Sequence, residues 1–187
     1  MSAWFGLIGA ALCIAAVATL IPGRMWHRRL WAGLALAASL IPLPGGDSAA
    51  MWLHALIGTP SATLFMLALL ACLGLRPGRL EMPVRIAFLL IALEFYVLAL
   101  GVGQLDVYGV GYRSGLLIVA LFPVGLWLFH RRRSSWLMIL TAALLSYAVG
   151  IHANLWDALF DPLVCVLALL SLRPQRRPLA ASGASAR

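Results

Sequence analysis

An all-α bundle that crosses a membrane several times is the fold class this sequence predicts, and three observations carry the prediction. First, 63% of the 187 residues are hydrophobic and only 11% are charged, against about 25% charged in a soluble domain. Mean hydropathy is +0.98. Second, arginine-rich stretches follow the odd-numbered apolar segments, and nearly every carboxylate follows an even-numbered one. Positive loops stay on the cytoplasmic face of a membrane protein, so this alternation fixes a side for each loop. Third, tryptophan, which favours membrane interfaces, clusters at segment ends. Trp4, Trp52 and Trp156 fall at outer ends; Trp26, Trp31, Trp127 and Trp136 fall at inner ends.

A spanning helix needs roughly 20 apolar residues, so about seven spans (six to seven) would use about 140 residues and leave only short loops. Residues 1–173 therefore read as one transmembrane domain, with the N-terminus outside and the C-terminus cytoplasmic. Residues 174–187, rich in Ala, Ser, Pro and Arg, read as a disordered basic tail. The expected location is a cell membrane, in bacteria the inner one.

The first segment, 3–22, precedes Arg24, His27, Arg28 and Arg29. No positive charge stands before it, so it does not read as a signal peptide. The second segment, 30–44, leads to Asp47. The third ends before Arg76 and Arg79. The fourth, 83–102, leads to Gln104 and Asp106. The fifth, 114–129, runs into His130, Arg131, Arg132 and Arg133. The sixth, 135–151, leads to His152, Asn154 and Asp157. The seventh ends before Arg173, Arg176 and Arg177.

Two hairpins look alike. Residues 51–60 and 154–162 each hold a tryptophan and close on proline, and each has a histidine and a carboxylate in or just before it. Each predicts a short outer helix leading into a new span, with Asp161 before Pro162 as an N-cap. The spans beyond, 61–75 and 163–172, are short. The helix is either kinked or broken at these points, and breaks are tolerated where they line a protein interior or a wet cavity.

Glu94 is the sharpest candidate for chemistry. An acidic residue near a spanning helix centre costs about 2.5–3.5 kcal/mol on insertion scales. It is expected to face the bundle interior, as a proton or substrate site or bonded to Tyr147, Ser146 or Thr141. The stretch 101–115 holds five glycines and reads as a polar loop. Asp106 is a further catalytic candidate there, and Tyr108, Tyr112 and Arg113 are candidate substrate contacts. Arginine's planar fork suits phosphate or carboxylate, whereas an Asp106–Arg113 surface pair is the plainer reading. His54 and His152 are expected near carboxylates Asp47, Asp157 and Asp161, where a histidine–carboxylate pair does acid–base work. His152 stands as a catalytic candidate and the others as substrate contacts converging on one outer pocket.

The sequence shows no metal-ligand spacing and no nucleotide-binding or nucleophile-elbow motif, so no metal or cofactor is expected. Cys13, Cys72 and Cys165 read as small packing residues. Net charge is +8, and all 14 basic residues are arginine. They flank apolar spans, which points to lipid headgroups rather than nucleic acid. The expected partners are membrane lipids and another integral membrane protein. Three function classes remain: a lipid-handling or accessory component of envelope biogenesis, a small proton- or ion-coupled transporter using Glu94, and an intramembrane transferase or hydrolase acting on a lipid headgroup.

Overall fold

The computed structural model describes residues 2–102 and 106–172, and every regular element among them is an α-helix. Gly103, Gln104 and the basic tail lie outside the described residues. The helices are α1 (Ser2–Ala18), α2 (Met25–Leu40), α3 (Ala49–Ile57), α4 (Ala62–Cys72), α5 (Met82–Ala99), α6 (Val107–Tyr112), α7 (Gly115–His130), α8 (Ser134–Ala148), α9 (Leu155–Leu159) and α10 (Pro162–Ser171). The order α1–α4 recurs as α7–α10: two long helices, a short helix, then a capped helix. The two units close differently, since α1 packs on α4 while α10 packs on α4 and α5 instead of α7.

Short helices stand where the hairpin composition places them, as α3 and α9. Each is followed by a break that removes helical bonds, then by a fresh N-cap. Ser61 caps α4 by accepting from the Leu64 amide, and Asp161 caps α10 by accepting from the Leu163 amide, with Pro162 in the first turn. These breaks divide the apolar stretches. Among the described residues one helix, Met82–Ala99, is long and apolar enough to cross a membrane, where the sequence predicts about seven spans. Five more helices of 10–17 residues are apolar but shorter.

α1 seats the first break. It turns a stripe of small residues, Gly6, Gly9, Ala10 and Ala11, into the interior. A Cβ on Gly6 would collide with the His54 ring, and one on Gly9 would lie 3.2 Å from Pro60. Small residues let backbones approach this closely. The main apolar cluster lies between α4, α7, α8 and α9: Ala62, Leu117, Ala143, Leu155 and Ala158. Outside it, α7 exposes Leu116, Val119, Phe122 and Phe129. An apolar surface of this extent marks contact with lipid or with another protein.

Candidate functional site

The two helix breaks meet, and their meeting point holds the buried polar groups. Asp161 accepts from the Ser61 amide at 3.0 Å and from the Leu163 amide at 2.8 Å. Its carboxylate thus sits at the N-termini of both α4 and α10, where two helix dipoles favour negative charge. Thr63 donates to the Ala158 carbonyl at 3.4 Å. His152 bridges from the other side: Nε2 lies 3.2 Å from the Pro60 carbonyl and Nδ1 3.2 Å from Ser146 Oγ. A carbonyl only accepts, so Nε2 carries the proton, and Nδ1 faces the Ser146 hydroxyl oxygen. Burial pushes His152 below its ordinary value, against the opposing pull of the Pro60 carbonyl and Asp157.

A second knot ties α6 to α9. The Tyr108 hydroxyl donates to the Asp157 carboxylate, 2.9 Å from Oδ2. Burial, then this hydrogen bond, holds the Tyr108 phenol above its ordinary value. Asn154 donates to the Tyr108 carbonyl at 3.0 Å, and Trp156 Nε1 donates to the Val107 carbonyl at 2.9 Å. Gly111 lies directly on the Asn154 amide, so a Cβ there would collide with Asn154 Oδ1. Tyr147 donates to the Tyr112 carbonyl at 3.2 Å. Rings continue the contact inward, with Phe95 near Trp156 at 4.9 Å and stacked with Phe160 at 5.7 Å.

These contacts sort the candidates. His152 and Asp161 come together at the breaks; Tyr108, Tyr112 and Asp157 come together at α6–α9. His54 stays apart: its Nδ1 lies 2.9 Å from the Gly58 carbonyl and its ring packs on Gly6. Asp47 and Arg113 are exposed. The stretch expected as a loop contains helix α6, because Asp106 caps it by accepting from the Gly109 amide at 2.7 Å. That use of the carboxylate replaces the expected Asp106–Arg113 pair; no ion pair joins them among the described residues. Most of the outer polar groups are bonded to one another or to backbone, so they form clamps rather than the expected shared pocket.

Glu94 departs furthest from expectation. It is exposed, and among the described residues no hydrogen bond or ion pair reaches it. The cause is the rotation of α5, which buries Ala92 and Phe95 against the aromatic stack. Glu94 then falls on the exposed stripe with Leu90, Leu93 and Val97. It bonds neither Tyr147 nor Ser146: Tyr147 bonds Tyr112 and Ser146 donates to the Ala143 carbonyl at 2.8 Å.

A large opening runs from the helix breaks toward the arginines after α1 and α4. A cavity of about 1160 Å³ lies between the second half of α1, the start of α2, α4 and α10. Its walls are apolar and include Val17, Leu64, Leu67, Leu163 and Leu167, and Arg28, Arg29 and Arg76 stand at one end. A smaller cavity of about 260 Å³ lies beyond Leu67 and Leu167, which line both. There Arg85 Nη1 donates to the carbonyl and hydroxyl of Ser171, covering the C-terminal end of α10.

Sequence reasoning passed over this cavity because its arginines read as topogenic charge. A signal was present in the small residues Cys13, Ala16, Ala68, Ala71 and Cys72 that share its walls. They fall in two different apolar segments, each next to an arginine run. No family model, no curated protein and no solved structure matches this chain.

Proposed function

We propose that this chain is a multi-pass inner-membrane protein that handles a lipid or lipid-linked substrate, as a component of envelope biogenesis. The observation that carries the reading is the cavity of about 1160 Å³ with apolar walls and an arginine end. Ligand cavities usually enclose about 300–1000 Å³, so this one is large enough for an acyl chain. Multi-pass insertion is supported by the arginine–carboxylate alternation and by the apolar exterior of α7. In this reading α3 with α4, and α9 with α10, each serve as one broken span. The polar backbone groups freed at the breaks are satisfied by Asp161, His152 and Ser61, as a non-aqueous setting requires.

Native mass spectrometry of the purified full chain tests the binding. Ala71 lines the cavity, and Ala71→Trp should displace co-purifying lipid. Ala120→Trp on the exposed side of α7 should leave it bound. Equal retention in both variants would count against the cavity. Orientation is tested by labelling a cysteine at Ser134, which is expected to react only from the cytoplasmic side.

A second reading, an accessory subunit, is favoured by Glu94. A carboxylate among Leu90, Leu93 and Val97 is costly against lipid, and a polar group from another membrane protein would relieve that cost. A photo-crosslinker at Leu90 should then join α5 to a second polypeptide, and labelling of lipid alone would exclude it.

A further inference from the structure

We infer that the ligand of the large cavity is an anionic amphiphile, a phospholipid-like molecule whose phosphate rests on Arg28, Arg29 and Arg76 while a chain lies along α4 and α10. The inference rests on the cavity reading above and adds the ligand's charge and direction. The lining is asymmetric. Its charged groups are all arginines at one end, no carboxylate lines it, and Leu64 and Leu163 line it toward the helix breaks. An apolar tunnel with a cationic mouth matches a molecule with an apolar tail and an anionic head.

Arg28 separates this mouth from ordinary topogenic charge. Its Nε is buried and donates to nothing among the described residues. A buried donor without an acceptor is unfavourable, and a phosphate oxygen at the mouth would satisfy it. Arg24 and Arg131, by contrast, are exposed. Arg85 Nε is also buried and unbonded, yet its Nη1 is already occupied by Ser171.

The backbone holds Arg29 close to Arg76. Gly74 ends α4 with φ of +70°, and a Cβ there would lie 2.6 Å from Met25 Sδ and 3.4 Å from Arg29 Nε. Only glycine fits a turn that is both left-handed and this close. It brings the start of α2 over the chain just before Arg76. Guanidinium forks from two elements thus line the same cavity, and their paired N–H groups match phosphate oxygens. Length agrees as well. From Leu64 to Gly74 the chain rises roughly 15 Å at helical pitch, about half of the roughly 30 Å hydrocarbon core. The cavity is therefore as deep as one leaflet.

The test is lipid competition on the full chain in neutral detergent, read by native mass spectrometry. Phosphatidylglycerol, phosphatidylcholine and inorganic phosphate serve as probes. Phosphatidylglycerol should bind at least about tenfold tighter than phosphatidylcholine, as charge-assisted hydrogen bonds to one headgroup would give. Arg28→Gln should bring phosphatidylglycerol down to the level of phosphatidylcholine. Arg76→Gln, at an exposed side chain, should do so in part and guards against a folding defect in the first variant. Equal affinity for both lipids, unchanged in both variants, would overturn the anionic headgroup while leaving lipid binding in place. Displacement of phosphatidylglycerol by inorganic phosphate with the same arginine dependence would make the site one for a free anion. Failure of every lipid to bind would overturn this inference and the cavity reading together.

Discussion

Glu94 and His152 show how far a single residue's role depends on what faces it. The acid was conspicuous in the sequence because it interrupts an apolar run, yet its direction was not. α5 is apolar on every side, so its rotation is decided by Phe95, Trp156 and Phe160 packing together from distant parts of the chain. With Glu94 exposed and unbonded among the described residues, Glu94→Gln should change stability in detergent by no more than about 0.5 kcal/mol, the usual range for a surface change. A loss above about 2 kcal/mol in a denaturation series would mean the carboxylate is buried in the folded protein. His152 was expected near carboxylates; it feels the charge of Asp157 while bonding Ser146 and the Pro60 carbonyl. Its folded pKa lies below the ordinary 6.5, so the unfolded chain takes up more protons in acid. Stability from this group is complete above about pH 6.5 and falls as the pH drops through 6.5 toward the folded value. A melting series from pH 8 to 5 should show this loss in the wild type and a shallower one in His152→Gln. Parallel curves would remove His152 from the acid response.

At the scale of elements, the two breaks organise the fold. Gly58 and Pro60 made the first break legible, and Asp161 as a cap before Pro162 made the second. That the breaks touch was not legible, because a contact between Ser61 and Asp161 joins residues 100 positions apart. α6 was missed for a local reason: five glycines between 101 and 115 suggested a loop, and the Asp106 cap with the Trp156 and Asn154 bonds outweighs that preference. Asp161 serves two helices at once. Asp161→Ala should therefore cost about 2–4 kcal/mol, from a lost cap and an unsatisfied buried amide at Ser61. Asp106→Ala, at the exposed N-cap of the six-residue α6, should cost no more than about 1 kcal/mol. Equal effects in denaturant titrations would contradict the central place of the α4–α10 crossing.

Across the whole molecule, composition and charge order made a helical fold and an apolar exterior legible, whereas the position of the large cavity was not. The sequence placed chemistry where polar residues gather, at the outer hairpins. In the structure many of those residues bond one another, and the open volume lies where apolar walls and arginines coincide. A cavity is what packing leaves unfilled, and no residue type announces it. The most direct measurement is photolabelling of the full chain in vesicles with an anionic phospholipid that carries a diazirine on its acyl chain, followed by peptide mapping. If the chain occupies the cavity, label falls on Leu67, Ala68 and Leu167, and Arg28→Gln removes it from these sites. Label confined to the outward side chains of α7, such as Val119 and Phe122, and unchanged by Arg28→Gln, would contradict lipid binding in the cavity.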